Sequence, residues 1–191
     1  MPSVAEKLVA ALDRLARAQR QQRQAAASRL GITPLQGELL KTLGEGPPPT
    51  ALVGLLAREL AVSQPTVTDS LTTLERKGLV TRSRSAQDQR RTRLELTDAG
   101  RAMVEALAEA EADVVKAVSS LATEQQEAAY AHLLTLIERF VRADLIDVAR
   151  TCLTCKYMAV SAEGDRHCRL LNVPLPDAAL RVNCPEHEQA A

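Results

Sequence analysis

Leu60-Ala-Val-Ser-Gln-Pro-Thr-Val-Thr-Asp-Ser-Leu-Thr-Thr-Leu-Glu-Arg-Lys-Gly78, then Leu79-Val-Thr-Arg82, an arginine-rich run and Leu94-Glu-Leu-Thr-Asp-Ala-Gly100, decides the fold of this chain. Ser63 can cap a helix whose first turn accepts Pro65, because the amide that proline lacks has no helical partner there anyway. Val67, Leu71 and Leu74 then share one face. Gln64, Thr66, Thr68, Asp69, Thr72 and Thr73 are left pointing mostly outward, a row of short hydrogen-bonding side chains that suits base edges in a major groove. Gly78 ends the helix. Leu79 to Arg84 and Arg93 to Thr97 alternate as two strands, with Ser85 to Thr92 as the tip between them. The predicted unit is a helix followed by a wing.

Upstream, Thr33-Pro34-Leu35-Gln36 opens a helix with a cap, a first-position proline and a reciprocal glutamine, and Leu35, Leu39, Leu40 and Leu43 form its inner stripe. Pro47-Pro48-Pro49 is a stiff connector. Thr50 caps a further predicted helix, from Ala51 to about Leu60, which lies only a few residues before the one at Ser63. That is helix-turn-helix spacing.

These residues resemble the winged helix-turn-helix of the MarR family of bacterial transcription regulators. The resemblance is carried by Leu60, Val62, Ser63, Thr66, Val67, Thr68, Leu71, Leu74, Glu75, Lys77, Gly78, Leu79, Val80 and Arg82, then by Asp88, Arg90, Leu94, Leu96, Thr97 and Gly100. The wing pattern, Asp-x-Arg-x-x-x-Leu-x-Leu-Thr-x-x-Gly, is its more specific half. It covers residues 30 to 145, with the first helix included by extension. Asp69 stands where many members carry a basic residue, so the recognition helix has no cation before Arg76. The resemblance implies a homodimer on double-stranded operator DNA, acting as a repressor. Gln64, Thr66, Thr68, Asp69 and Thr72 would face the major groove, Arg90 would enter the minor groove from the wing tip, and Arg84 and Arg91 would lie nearer phosphate. It also implies a small-molecule effector between the reader and the dimer helices.

Composition agrees with a mainly α chain: 46% of the 191 residues are hydrophobic and only 2% aromatic. The net charge is zero, which argues against a protein that coats nucleic acid generally, yet five arginines and one acid lie between Arg82 and Arg93. A local basic tip, not global charge, would meet phosphate. No apolar run approaches the ~20 residues of a membrane span, and the N-terminus lacks a signal-peptide core, so no membrane partner and a cytoplasmic location are expected.

The flanking helices supply the rest of the predicted architecture. Ser3 to Glu6 is a capping-box pattern opening a helix through Leu8, Leu12 and Leu15 to about Arg23. A long helix is expected from Thr97 through Met103, Leu107, Val114 and Val118 to Leu121. Its acids Glu105, Glu109, Glu111 and Asp113 read as a solvated face. Thr123 to Gln126 is a further capping box, before Leu133, Ile137, Phe140 and Leu145. Amphipathic helices flanking a compact reader need a partner for their apolar sides, and a twofold dimer supplies one.

After Arg150 the chain changes character, so residues 1–150 are expected as the DNA-binding and dimerisation domain and 151–191 as a cysteine-rich metal-binding tail. The tail holds all four cysteines, Cys152, Cys155, Cys168 and Cys184, with His167 and His187. It has too few apolar residues to bury four thiols as core filler. Cysteines packed into a small cytoplasmic appendage hold a metal more naturally than they form disulfides. Cys152 and Cys155 clamp from one turn, and Cys168 and Cys184 return after loops of 12 and 15 residues to complete a tetrahedron. One metal centre per chain is expected, zinc ahead of an iron-sulfur cluster and a metal-free thiol switch third, with Lys156, Arg166, Arg169 and Arg181 offsetting the charge. A histidine could replace one thiolate. The alternatives are a thiol-disulfide oxidoreductase built on Cys152-Leu-Thr-Cys155 and a helical interaction module without DNA binding. Neither fits as well, since the residues before Cys152 read as a helix end and the wing arginines favour DNA; the chain is not expected to be an enzyme.

Overall fold

The computed structural model describes residues 1–45, 53–84 and 92–190. Seven α-helices are described, α1 (Val4–Arg29), α2 (Pro34–Gly44), α3 (Val53–Glu59), α4 (Gln64–Arg76), α5 (Asp98–Ala110), α6 (Ala112–Ser119) and α7 (Thr123–Arg142). Between α4 and α5 the antiparallel pair β1 (Val80–Arg84) and β2 (Thr92–Leu96) aligns Val80 with Leu96 and Arg84 with Thr92. The fold is mainly α, a winged helix-turn-helix with long flanking helices and a small tail sheet.

Helix starts follow their caps. Ser3 accepts from the Glu6 amide while Glu6 reaches back to the Ser3 amide, and Thr33 and Gln36 repeat the exchange at α2. The first helix runs a turn and a half beyond the expected end because its alanine-rich stretch keeps helical propensity and buries Ala26 and Ala27 against the core. The expected helix from Thr97 to Leu121 is kinked at Glu111. Its amide is shared between the carbonyls of Leu107 and Ala108, so the ladder tightens, and its carboxylate is drawn to Lys41 Nζ at 2.9 Å. At α7 the cap is Ala122, one residue earlier than expected, and its amide donates to Gln125 Oε1. The cap expected at Thr50 lies outside the described residues.

Leu39, Leu40, Leu56, Val67, Leu71 and Leu74 form the centre of the reader's core and are fully buried. The wing is fastened at its base. Thr97 donates its amide to the Leu79 carbonyl and its hydroxyl to the Gly78 carbonyl, while that hydroxyl accepts from the Gly100 amide. Gly100 packs so tightly there that a Cβ would lie 2.0 Å from the Leu79 oxygen. Gly78, at φ +69°, turns the chain from α4 into the wing.

Residues after α7 are ordered on the helices. Beyond a 3₁₀ turn at Cys152–Thr154, strands β3 (Met158–Val160), β4 (Arg166–Cys168) and β5 (Val173–Pro174) form an antiparallel sheet in that order. Leu134 of α7 is fully buried in a second cluster with Cys152, Leu175 and Leu180, and the Tyr130 hydroxyl donates to the Leu180 carbonyl at 2.7 Å. Of the four thiols, Cys152 and Cys184 are buried and Cys155 and Cys168 half-buried. Cys152 is enclosed by borrowing one face of α7.

The Gly100 contact sets a test of the wing base. Because the obstructing atom is backbone, Gly100→Ala is expected to cost about 3 kcal/mol. Gly54→Ala in α3, where a Cβ would meet only the flexible end of Gln64 at 3.3 Å, is expected to be neutral or stabilising. Urea unfolding of both variants checks the contrast.

Candidate nucleic-acid interface

The recognition helix α4 is anchored on one side and open on the other. Ser63 accepts from the Thr66 amide, Pro65 sits in the first turn, and Val67, Leu71 and Leu74 are buried. Gln64, Thr66, Thr68, Asp69 and Thr72 are all exposed, as the sequence predicted. Their hydroxyls are not equivalent. Thr68 donates to the Gln64 carbonyl and Thr72 to the Thr68 carbonyl, both at 2.9 Å, so each presents an acceptor oxygen and a methyl group outward. Thr66 is joined to the cap through Ser63 Oγ at 2.7 Å. Asp69, also exposed, adds a carboxylate to these acceptors. The row is therefore rich in acceptors and methyls, matching cytosine and adenine amino groups and thymine methyls rather than the acceptor edge of guanine.

Beside this row stands the wing. Arg84 ends β1, and of its side chain nothing is described; Arg90, Arg91 and Asp88 lie outside the described residues. Two arginines of the hairpin are engaged within the fold: Arg82 lies 3.8 Å from Glu75 and Arg93 lies 2.9 Å from Glu95.

The model of the MarR family matches residues 32–92. This segment is a MarR family domain. Among solved structures, the chain is similar to a MepR–DNA complex from S. aureus at 29% identity and a TM-score of 0.56, over 68% of this chain and 94% of that one. It is similar to a MepR mutant from a multidrug-resistant S. aureus clinical isolate at 27% identity and a TM-score of 0.59, over 73% and 99% of the two chains. No curated protein matches. The MarR family model ends at residue 92, so nothing in it describes Cys152 to Cys184.

All four cysteines occupy the tail module without forming a closed shell. Cys152 opens the 3₁₀ turn and Cys155 follows it, Cys168 ends β4 opposite Met158, and Cys184 lies beyond β5. Among the described residues, no three His, Cys, Asp or Glu side chains are grouped as a metal site. Burial pushes the Cys152 thiol up, and the nearby Cys155 and Cys168 add to the effect. Burial also raises the Cys184 thiol, which donates to Glu186 Oε2 at 3.3 Å. His187 is paired through Nε2 with Thr154 Oγ1 at 3.0 Å, and burial holds its pKa down.

A second set of residues, invisible to sequence patterns, ties this module to the reader. Arg150 is only 4% exposed; its Nε donates to Glu59 Oε1 at the end of α3 at 2.9 Å, and Nη2 lies 3.7 Å from Glu45 at the end of α2. Asn183 donates to Glu45 at 3.1 Å, and Arg58 grips Asp147 through two bonds of 2.7 and 2.8 Å. Glu45, Glu59 and Arg150 are separated by long stretches of chain and carry no spacing signature.

A charge this deeply buried is costly to strand. Arg150→Met is expected to destabilise the protein by about 3–5 kcal/mol, because Glu59 is left without its cation. The double variant Arg150→Met/Glu59→Leu is expected to recover most of that loss in the same thermal or urea melts.

Proposed function

We propose that the chain is a DNA-binding transcriptional regulator that grips a palindromic operator as a homodimer, most simply as a repressor. The observation that carries this reading is α4: a helix with Val67, Leu71 and Leu74 buried and its opposite side an unobstructed row from Gln64 to Thr72. An arginine-rich hairpin follows it within a MarR family domain. MepR, to which the chain is similar, is known in a complex with DNA. In this reading α4 enters the major groove through Gln64, Thr66, Thr68, Asp69 and Thr72. Arg90 reaches the adjoining minor groove, and Arg84 and Arg91 meet phosphate. Neutral net charge leaves nonspecific attraction low, so affinity concentrates in the wing and specificity in α4.

Dimerisation is supported by apolar side chains that lack a cover in the single chain. Leu8 and Leu15 of α1 are 51% and 61% exposed, and Val115 and Val118 of α6 are 63% and 51% exposed. A second copy placed on a twofold axis would bury them and space two α4 helices for successive major grooves. A cleft lined by Leu43, Gly44, Leu96, Arg101 and Val104, between α2, β2 and α5, is the place for a small-molecule effector. A ligand seated there would press on the wing base. Residues 1–150 then form the reading and dimerising unit and residues 151–191 its appendage, in a cytoplasmic protein; among the described residues no helix is long and apolar enough to cross a membrane.

The dithiol-enzyme reading is disfavoured. A dithiol centre is expected at the start of an α-helix that follows a strand, whereas Cys152 opens a 3₁₀ turn of three residues.

Footprinting and gel shifts on DNA upstream of the protein's own gene test the proposal, the expected result being an imperfect palindrome with half-sites about one helical turn apart. A single half-site occupied by a monomer would overturn the dimeric reading. Arg90→Ala is expected to weaken binding at least several-fold at low salt and to flatten the salt dependence, without change in helical content. Thr68→Ala should instead alter sequence preference at one base pair and leave the salt slope intact.

A further inference from the structure

Two turns of the tail share one backbone pattern. In Cys152-Leu-Thr-Cys155 the fourth amide donates to the first carbonyl at 3.2 Å, and in Cys184-Pro-Glu-His187 it does so at the same distance. Backbone bonds set the two side by side: the Cys152 amide donates to the Arg181 carbonyl at 3.0 Å and the Cys184 amide to the Arg150 carbonyl at 2.8 Å. The third thiol-bearing segment is tied to the first, because Cys168 faces Met158 across β3 and β4, and the Met158 amide donates to the Cys155 carbonyl. Cys152 Sγ already accepts an N–H bond from Arg181 at 3.2 Å, an interaction that favours the thiolate form. His187 has another task. The Thr154 hydroxyl donates to the Ala149 carbonyl at 2.5 Å, so it accepts from His187 Nε2–H, and the histidine braces the first turn from within the second.

The segments that carry these thiols also hold the reader. Arg150, whose carbonyl receives the Cys184 amide, buries its guanidinium against Glu59 of α3 and Glu45 of α2, and Asn183, next to Cys184, donates to Glu45. We propose that residues 151–191 bind one zinc ion through Cys152, Cys155, Cys168 and Cys184, and that the zinc-ordered tail fixes α3, through Arg150, in the position from which α4 reads DNA. Binding releases the proton of each coordinating thiol to solvent. Cys184 must then leave Glu186, since its S–H bond to that carboxylate exists only while the thiol is protonated. Zinc suits a small all-sulfur shell assembled from short turns. The last clause of the proposal rests on the DNA-binding reading; the metal site and its grip on α3 do not.

The test uses the full chain, purified without chelators, with elemental analysis, a visible spectrum and amide hydrogen exchange in the absence of DNA. About one zinc per chain and no visible colour are expected, and Cys155→Ser should abolish the zinc. Removing zinc with a chelator, or by Cys155→Ser, should speed exchange of the α3 amides about tenfold. Arg150→Met should loosen α3 equally while keeping its zinc, which separates the grip from the metal site. Absence of zinc, a coloured iron-bearing preparation, or α3 exchange indifferent to zinc would each overturn the proposal. Operator affinity is read last and should drop about tenfold on zinc removal. Unchanged affinity would overturn the link to reading, whereas zinc and α3 coupling without any operator binding would overturn the DNA-binding reading alone.

Discussion

The approach of Gly100 to the Leu79 carbonyl is the contact on which the geometry of the reader depends. Leu79 follows α4 and leads into the wing, and Gly100 lies in the first turn of α5, the helix that leads away from the reader. Any side chain larger than hydrogen at position 100 would drive these two elements apart. Thr97 completes the joint by accepting from the Gly100 amide and donating to Gly78 and Leu79. The stretches Gly78–Leu79 and Thr97–Gly100 are thus locked to one another. A displacement of α5 cannot be absorbed there; it must be passed to the base of the wing and the end of α4.

That joint explains why the reader was legible in the sequence. Leu94-x-Leu96-Thr97-x-x-Gly100 keeps a fixed spacing because the Thr97 hydroxyl caps α5 by accepting from the Gly100 amide three positions on, and local hydrogen-bond geometry leaves spacing signatures. The same holds for Ser3 with Glu6 and Thr33 with Gln36. The kink at Glu111 was not legible, because no proline or glycine marks it. It arises from a donor shared between two carbonyls and from Lys41, 70 positions away in sequence. For the same reason the candidate row on α4 could be read from heptad-like spacing, whereas the internal hydrogen bonds of Thr68 and Thr72, which change what those side chains offer, required the helix itself.

The tail was the least legible part, and the cause lies in shared cores. Taken alone, its segment from 151 onward has too few apolar residues to enclose anything, and that count is correct. Cys152 is enclosed nonetheless, because Leu134, Tyr130 and Ile137 of α7 provide the other wall. One side of α7 is therefore covered within the chain, which narrows the apolar surface that a second copy would have to cover to α1, α6 and what remains of α7. Leu133, 46% exposed and adjacent to the fully buried Leu134, marks that division along the helix.

Arg150 shows why the tail and the reader should be considered as one mechanical unit. The guanidinium taken out of water is held by one hydrogen bond to Glu59 and by the charge of Glu45 at 3.7 Å, while the carbonyl of the same residue receives the Cys184 amide. Its amino-acid neighbours carry the first thiol of the tail; its carboxylate partners end the two helices that precede α4. The adjacent pair of Arg58 and Asp147 is exposed and contributes little energy, but it runs parallel to the buried pair and holds the same helix to the same linker. Between them, the two arginines leave α3 little freedom to turn independently of residues 147–150. Whatever orders the start of the tail therefore also orders the support of the recognition helix, because both depend on the seat of one side chain.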